Sequence, residues 1–250
     1  MKTFNTLLAG TVACLALSTS LAHAERGADG ELKILFWQAV STMNPFLSAG
    51  TKEVYASSMV IEPLARYDEK GELVPWLVTE IPTLENGGIS EDLLSMTWKL
   101  MPDLKWSDGS AFTADDVVFT WKYCTAPDGG CAQRAQYEGV KNVEAVDPQT
   151  VKVTFEEPKP YPYSAFVGAQ SPIIQAAQFK DCLGAKAPGC TDANFKPVGT
   201  GPFVVTDFKP NDVITFEANP NYRDPAKPAF ASVTLKGGGD AASAARAVLE

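Results

Sequence analysis

The sequence predicts a mixed α/β protein. Short segments in which apolar and polar residues alternate recur along the chain between turn sequences, and "TVKVTF" at residues 150–155 is the clearest of them. Two other segments, near residues 54–64 and 114–124, have the apolar spacing of helices. The length of 250 residues and the apolar fraction of 45% are sufficient for one substantial core or two small ones.

The first elements are a strand, a helix and a hairpin. "ELKILFW" at residues 31–37 is a mostly apolar strand, and a loop follows it. Apolar spacing after Val54 favours a helix that ends near Pro63. The turn "DEKG" at residues 68–71 lies between two short apolar runs and predicts a hairpin, whose second strand is limited by Pro75.

The later elements are mostly strands. In "TVKVTF", Val151, Val153 and Phe155 share one face, and the turn "DPQT" just before it predicts a hairpin. The segment "PYPYSAFVGAQSPII" at residues 160–174 is broken by proline and predicts loops around a short helix. Further predictions are a strand in "LSMTWKLMPDLKW" (94–106), two strands joined by "KPND" in "GTGPFVVTDFKPNDVITFEANPNY" (199–222), a strand in "ASVTLK" (231–236) and a helix in "AASAARAVLE" (241–250).

Residues 1–24 are typical of a secretory signal peptide. Lys2 is the only charged residue in this stretch, an apolar run covers residues 7–17, and "AHA" at the end matches an A-x-A cleavage site. The run is too short and too often interrupted to span a bilayer, so we expect cleavage after Ala24 and export. Lipid attachment at Cys14 is the alternative, although the apolar run continues past this cysteine.

The charge and histidine content exclude several classes of function. Without residues 1–24 the chain has 20 basic and 30 acidic side chains, a formal charge of −10, which repels nucleic acid and anionic lipid. His23 is the only histidine and lies in the predicted signal peptide. The mature sequence therefore predicts neither Ser-His-Asp nor Cys-His catalysis, no imidazole metal site and no cofactor.

The four remaining cysteines form two local pairs, Cys124 with Cys131 and Cys182 with Cys190. The intervening segments, "TAPDGG" and "LGAKAPG", are rich in glycine and proline, which lets the chain turn back and bring each pair into bridging range. In an exported chain this predicts two disulfides. A four-cysteine zinc site is the alternative, but its ligands are normally roughly two to four residues apart.

Three carboxylates, Asp108, Asp115 and Asp116, lie in "KWSDGSAFTADDVVFTW" at residues 105–121. A close carboxylate pair is typical of hydrolases that need an acid and a base. However, Thr113 followed by Asp116 is a helix-capping signature, and Asp108 before a glycine predicts a tight turn. We interpret the three acids as capping and turn residues, with catalysis by Asp115 and Asp116 as the alternative. The helix would bury one face, formed by Ala114, Val117, Val118, Trp121 and Cys124.

The order of these segments resembles a known family. "WKLMPDLKWSDGSAFTADDVVFTW" resembles the signature of the family 5 extracytoplasmic solute-binding proteins of ABC importers, the peptide, dipeptide and nickel-binding group. Four other segments resemble family features in the same order along essentially the whole mature chain: "STMNP" the early "LDP" turn, "IEPLARYDEKGELVPWLVTEIP" the "yE-L-----G---P-LA" segment, "PVGTGPFVV" the "GTGP" strand and "NPNYRD" the "N--Y" turn.

The resemblance implies an α/β fold of the periplasmic-binding-protein type II-like kind, in which two lobes close on a ligand. Residues 25–63 and 198–250 would form lobe I, and residues 64–197 an inserted α+β subdomain. The subdomain would hold both cysteine pairs and the carboxylates, remote from the ligand. Family members continue through a second lobe, so we expect lobe II to be absent from this chain, as in a fragment or a truncated gene product.

By the same resemblance, lobe I meets the ligand at the loop after the first strand and at the end of the last strand. Glycines at such positions let a peptide backbone approach the protein backbone. The alternative is purely structural, with the glycines as turn residues and the tryptophan as a core residue. The predicted ligand-binding residues are Trp37, Gln38, Ser48, Ala49, Gly50, Thr51, Leu235, Gly237 and Gly238.

The function that the resemblance implies is the substrate-binding component of an ABC importer. Such a protein is not an enzyme; it captures a peptide or a related small solute in the periplasm and delivers it, as a monomer, to a membrane permease. A secreted hydrolase and a receptor module that binds another protein are the alternatives. Within the family the solute is an oligopeptide, a dipeptide, an opine, a sugar or a metal chelate, and the sequence leaves this choice open.

Overall fold

The computed structural model describes residues 25–238 and residue 246, so the predicted signal peptide lies outside the described residues, as does the predicted helix at residues 241–250 apart from residue 246. No helix in this part of the chain is long and apolar enough to cross a membrane. The strands are β1 Glu31–Phe36, β2 Ala65–Tyr67, β3 Leu73–Pro75, β4 Ser95–Lys99, β5 Val140–Asp147, β6 Thr150–Phe155, β7 Phe203–Lys209, β8 Val213–Ala218 and β9 Ser232–Gly237. The α-helices are α1 Thr51–Ser57, α2 Ala114–Thr125, α3 Ala176–Phe179 and α4 Thr191–Phe195, with 3₁₀ turns at Pro45–Leu47, Arg134–Tyr137 and Gly184–Gly189.

The main sheet joins the first and the last strands of the described chain, in the order β1-β9-β8-β7. β1 and β9 run parallel, with pairs from Glu31 opposite Ser232 to Phe36 opposite Gly237, and the other neighbours are antiparallel. Because β1 and β9 are parallel, their carboxyl ends meet at one edge of the sheet. The sheet draws its strands from the two stretches predicted for lobe I, although that division into lobes stays a prediction.

The middle of the chain forms a smaller antiparallel sheet, β4-β6-β5, and the separate hairpin β2–β3 that "DEKG" predicts. Val151, Val153 and Phe155 of β6 are buried as predicted. On the neighbouring strand, Met96 and Trp98 are fully buried as well. The alternating pattern of β6 therefore marks one wall of a core in this part of the fold.

Two helix predictions were wrong in extent or place. α1 ends at Ser57, before the predicted end near Pro63: beyond it the N–H groups of Met59 and Val60 bond only three residues back, at 3.3 and 2.9 Å, in turn geometry. The carbonyls of the same two residues accept from the N–H groups of Phe203 and Gly201, at 3.1 and 2.8 Å. The short helix predicted within residues 160–174 is replaced by irregular chain. Here Phe166 has a positive φ of 65°, a value that breaks regular structure.

The buried face of α2 differs in part from the prediction. Thr120 and Tyr123 are buried, whereas Val118 and Trp121 are only half-buried. Thr120 is tolerated in the core because its hydroxyl donates to the carbonyl of Asp116 at 2.8 Å and accepts from the N–H of Ile174 at 3.1 Å. Ala114, Val117 and Cys124 are buried as predicted.

Both predicted disulfides are present. Cys124 and Cys131 have their Cα atoms 5.1 Å apart, and the bond joins the last turn of α2 to the segment after it. Cys182 and Cys190 are separated by 5.9 Å and close the segment that leads into α4. Each bridge therefore fixes the end of a local segment within the middle part of the chain.

Candidate functional site

The carboxyl edge of the main sheet carries the first two predicted site residues. β1 ends at Phe36, opposite Gly237 at the end of β9, and the chain then exposes Trp37 and Gln38. In open α/β sheets, ligands bind beyond the carboxyl ends of parallel strands. We call the group formed by these residues and the loop at 48–51 the edge surface.

Trp37 is an exposed aromatic residue at the centre of the edge surface. Its side chain is 56% exposed, so the alternative of a core tryptophan is wrong. It stacks on Phe36 with ring centroids 5.0 Å apart, and it contacts the edge of Tyr55, which is 55% exposed, at 6.2 Å. Exposed aromatic groups held in place by their neighbours are typical contact residues for a ligand.

Gly237 has a structural role beside this surface. A side chain at this position would collide with the backbone of Gln38 and Ala39, so glycine is needed for the chain after β1 to pass the end of β9. Gly237 is buried, whereas Gly238 is partly exposed and has a positive φ of 83°. Of these two glycines, Gly238 is the one that is accessible for contact with a ligand.

Leu235 does not lie on the edge surface. Its side chain is 1% exposed and belongs to the core. Its backbone lies between β1 and β8, where it pairs with Ile34 and Ile214. The structure thus gives no support to the prediction that Leu235 contacts a ligand.

The loop at residues 48–51 leads into α1. Ala49 and Thr51 are exposed, and Ser48 and Gly50 are half-buried. The hydroxyl of Ser48 accepts from the N–H of Gly50 at 3.1 Å, and Gly50 is the N-cap residue of α1 with an ordinary φ of −71°. The glycine is therefore not required by the backbone conformation, but it keeps side-chain atoms away from Glu53, whose carboxylate a Cβ would strike.

Glu53 holds the edge surface together, and the sequence analysis missed it. Its side chain is 1% exposed. The carboxylate accepts hydrogen bonds from the N–H of Ser41 at 3.0 Å, from the Ser41 hydroxyl at 2.8 Å and from the Ser48 hydroxyl at 3.3 Å. Lys52 adds an ion pair at 3.1 Å and donates to the carbonyl of Ala39 at 2.6 Å. One buried acid thus connects the chain after β1 with the loop before α1.

The ionisation of Glu53 couples this arrangement to pH. Burial alone would raise the pKa of Glu53, but the hydrogen bonds from Ser41 and the charge of Lys52 together hold it below its ordinary value of 4.5. A carboxyl group with a lowered pKa in the folded state contributes stability above its ordinary pKa and loses that contribution as the pH falls through the folded value. The edge surface is therefore expected to loosen in acid.

A sequence signal for Glu53 exists in retrospect. An acid in the first turn of a helix is favoured by the helix dipole, and "SAGTKE" places a serine and a glutamate on either side of the start of α1. That pattern predicts a helix start. It does not predict that Ser41, from a different segment, completes the hydrogen bonds.

Asn44 ties the chain after β1 to two helices. Its amide group donates to the side-chain oxygen of Asn194 in α4 at 2.8 Å and to the hydroxyl of Tyr123 in α2 at 3.0 Å. Its own oxygen accepts from the N–H of Phe46 at 3.0 Å. All of Asn44 is buried, so these bonds are protected from water and fix the segment that leads to the edge surface.

The first disulfide lies close to this segment, so of the two cysteine pairs that the resemblance places remote from the ligand, one is near the predicted ligand loop. After Cys131, the N–H of Ala132 donates to the carbonyl of Phe46 at 2.8 Å. The amide of Gln133 then donates to the carbonyl of Ser48 at 3.2 Å. The residues that directly follow the disulfide therefore support the backbone of the predicted ligand loop.

Removing the Cys124–Cys131 bridge should weaken the loop as well as the fold. For the double variant Cys124→Ala/Cys131→Ala we expect a loss of about 2 kcal/mol in the free energy of unfolding, since the bridge closes a loop of sequence separation 7. Hydrogen exchange at the N–H groups of residues 46–50 should also rise. The matched control is Cys182→Ala/Cys190→Ala, which should cost similar stability and leave exchange at 46–50 closer to the wild type. Equal exchange in both variants would show that Ala132 and Gln133 do not depend on the bridge.

Two of the three carboxylates of the 105–121 segment, Asp116 and Asp108, have structural partners, and Asp115 lies in the first turn of α2. Asp116 is buried and accepts from Thr113 N–H, the Trp106 indole and Ala176 N–H at 2.9, 3.2 and 2.9 Å. Burial raises the pKa of Asp116, and the hydrogen bonds from Ala176 and Thr113 oppose that rise. Asp108 accepts from Ser110 in the predicted turn. The turn interpretation is confirmed for Asp108 and the capping interpretation for Asp116, and a hydrolase that uses Asp116 would need these bonds to break.

The carboxyl ends of two parallel strands thus meet beside an exposed tryptophan and a buried glutamate that anchors the nearby loops. This arrangement defines an α/β protein with a candidate ligand surface at the edge of its sheet. Residues 72–250 match the family model described as bacterial extracellular solute-binding proteins, family 5, middle. The chain belongs to that family. The matched range includes β9 and excludes β1 and the loop at 48–51.

Comparisons with individual proteins agree with this family assignment. The chain is 28% identical to the nickel-binding periplasmic protein of Escherichia coli K12 over 92% of its length, and 29% identical to the periplasmic oligopeptide-binding protein OppA of the same strain over 78%. The crystal structure of the ABC transporter substrate-binding protein CtaP from Listeria monocytogenes superposes with a TM-score of 0.74 at 27% identity, over 90% of this chain and 43% of that one.

These comparisons fix the fold and the extent of the match. The fold is that of the type II periplasmic binding proteins, of which the described residues form part of a lobe. The chain covers 41% of the E. coli nickel-binding protein and 37% of OppA, so it spans about two fifths of the length of the curated relatives that it matches.

Proposed function

We propose that this chain belongs to the substrate-binding component of an ABC importer, that it captures a peptide or a related small solute outside the cytoplasmic membrane, and that the loaded protein delivers this solute to the permease. It acts by binding and not by catalysis. Membership of family 5 supports the binding role, and the relatives include one named for nickel and one named for oligopeptides.

The observation that carries the proposal is the exposed Trp37 at the carboxyl edge of β1 and β9. Beside it lies the loop Ser48-Ala49-Gly50, whose small residues let a peptide backbone come close. Aromatic contact and backbone contact both tolerate varied side chains, which suits a binder of peptides. Gln38, Thr51 and Gly238 complete the proposed contact surface.

The proposal includes the organisation that the resemblance implies. Residues 25–63 and 198–250 contribute to lobe I and residues 64–197 to an inserted subdomain, and the remaining contacts to the solute come from a second lobe. Residues 1–24 act as a signal peptide for export to the periplasm, where the mature protein works as a monomer. The parallel pairing of β1 with β9 supports this division, since it joins the two stretches assigned to lobe I.

The first test is thermal unfolding of the mature protein, expressed from its complete reading frame, against a mixed peptide library. Binding to the folded state raises the melting temperature with ligand concentration, and about 2.7 kcal/mol of stabilisation is expected at one hundred times the dissociation constant. A concentration-dependent rise supports the proposal. If peptides produce no rise while sugars, opines or chelated metals do, the binding role stands and the solute class is wrong.

Trp37 provides the residue-level test. We expect Trp37→Ala to weaken peptide binding by about tenfold or more, since truncating an aromatic contact residue commonly costs this much. Leu84→Ala is the matched control, because Leu84 is similarly exposed, at 54%, and belongs to the segment between β3 and β4, which is not part of the edge surface. Isothermal titration calorimetry with one peptide from the library measures both variants. Equal affinities for the two variants would mean that Trp37 does not contact the ligand.

A further inference from the structure

An open cavity of about 1010 Å³ is lined in part by Tyr55, whose ring also contacts Trp37. Its walls come from α1, from the hairpin β2–β3 with Trp76 just after it, and from the loop at residues 222–229. The proposed solute surface does not use this cavity, and only Tyr55 borders both. Its volume is in the range of pockets that hold small molecules.

A free guanidinium group faces this cavity. The Arg66 guanidinium lies 3.3 Å above the ring of Trp76. Arg66 is exposed, and among the residues that the structure describes its side chain has no ion-pair partner and no hydrogen-bond acceptor. Stacking occupies the face of the guanidinium and leaves the N–H groups at its edge free, and these groups match a carboxylate with two parallel hydrogen bonds.

A second guanidinium, next to Trp76, is already neutralised. Arg223 lies 4.6 Å from the centre of the Trp76 ring and donates to both oxygens of Glu62, at 2.6 and 3.2 Å. Glu62 is 2% exposed and also accepts from the Trp76 indole and the Thr200 hydroxyl. The Glu62 carboxylate is thus saturated with donors, and it holds Trp76 in place beneath Arg66.

The charge balance favours a ligand with one negative charge. The charged residues that line the cavity are Arg66, Lys227 and Glu62. Glu62 is paired with Arg223, and Lys227 lies 3.9 Å from the carboxylate of Asp224. One positive charge, that of Arg66, is left unbalanced. A dianion such as a phosphate monoester would bring a second charge toward the buried Glu62 carboxylate, which repels it.

The remaining walls are aromatic. Tyr55, Tyr67 and Tyr222 line the cavity together with Trp76. The hydrogen bond with Tyr161 and, to a smaller extent, burial raise the pKa of Tyr67 to about 12, so this hydroxyl is neutral at physiological pH. Aromatic and uncharged walls favour a planar apolar ligand that carries its charge at one end.

We propose that this cavity binds a small planar or aromatic monocarboxylate, whose carboxylate is held by the Arg66 guanidinium and whose ring packs against Trp76 and the neighbouring tyrosines. The site is separate from the edge surface. Peptide binding at the edge surface therefore does not depend on Arg66.

The test uses the complete mature protein labelled with fluorotryptophan, with the Trp76 resonance assigned through Trp76→Phe. Titration with benzoate is expected to shift this fluorine resonance in a saturable way, and its uncharged analogue benzamide is expected to bind far more weakly. Arg66→Gln should weaken benzoate binding about tenfold or more, as expected for the loss of a charge-assisted pair of hydrogen bonds. Arg134→Gln is the matched control, because Arg134 is exposed and does not line this cavity, and it should bind benzoate like the wild type.

Each other outcome overturns the proposal. Equal binding of benzoate and benzamide, or unchanged benzoate affinity in Arg66→Gln, would show that the guanidinium does not hold the carboxylate. Tighter binding of phenyl phosphate than of benzoate would contradict the charge argument. The absence of any saturable shift of the Trp76 resonance would mean that the cavity is not a carboxylate site. A loss of peptide binding in Arg66→Gln would show that the two surfaces are one site.

Discussion

Arg223→Met is expected to lower the free energy of unfolding by about 3 kcal/mol or more at neutral pH, because it leaves the Glu62 carboxylate buried without its cation. The side chain of Glu62 is 3% exposed, so water cannot replace the two hydrogen bonds that Arg223 supplies. Burial raises the pKa of Glu62, and Arg223 is the largest influence that opposes this rise. Urea unfolding of the complete mature protein measures the loss.

The pH dependence separates a charge effect from lost packing. Without Arg223 the pKa of Glu62 rises further, so the penalty should shrink as the pH falls and the carboxyl group takes up a proton. The double variant Glu62→Gln/Arg223→Met should be more stable than Arg223→Met alone. Lys99→Met is the control, since the exposed Lys99–Glu80 pair at 3.2 Å should cost less than about 1 kcal/mol. A penalty for Arg223→Met that is independent of pH would contradict this account.

Glu53→Ala is expected to lower peptide affinity more than tenfold and to destabilise the fold by about 3 kcal/mol. The variant removes the acceptor for Ser41 and Ser48, and hydrogen bonds to a charged group are worth about 1.5–3 kcal/mol each. The loop at 48–51 would then lose its connection to the chain after β1. Calorimetric titration with peptide, at a temperature where the variant is still folded, measures the affinity.

The pH profile of peptide affinity shows whether Glu53 acts by positioning the loop. In the wild type, peptide affinity should decline as the pH falls below 4.5, the ordinary pKa of the group, and through the lower pKa of Glu53 in the folded protein, because Glu53 then takes up a proton. Glu53→Ala should lack this decline. Glu69→Ala provides the control, because Glu69 is an exposed acid and should leave both affinity and profile unchanged. Wild-type affinity in Glu53→Ala would mean that the loop holds its position without this carboxylate.

Local patterns predicted most of the strands. The alternation of Val151, Val153 and Phe155, the "DEKG" turn and the capping pair Thr113 and Asp116 each depend on neighbouring residues, and each was confirmed. The end of α1 was not predictable in this way. Directly after it, the carbonyls of Met59 and Val60 accept hydrogen bonds from Phe203 and Gly201, which belong to a segment far away in the sequence.

The same distinction explains what the sequence revealed of the candidate site. Family resemblance indicated Trp37, Gln38 and the loop at 48–51, and the structure brings them to one edge of the sheet. Glu53 was missed because its hydrogen-bond donors, Ser41 and Ser48, lie in other segments. Leu235 was included because the resemblance indicates the end of a strand but not whether a side chain there is buried. Contacts between distant segments and degrees of burial are set by packing, which no local pattern contains.

Hydrogen exchange on the complete mature protein, with and without a peptide that raises its melting temperature, shows whether the edge surface binds the solute. We expect slower exchange at residues 37–38, 48–51 and 238 when the peptide is bound, and little change in the loop at residues 222–229 beside the Arg66 cavity. Protection confined to residues 222–229 and the β2–β3 hairpin, with none at 37–38 and 48–51, would contradict this expectation.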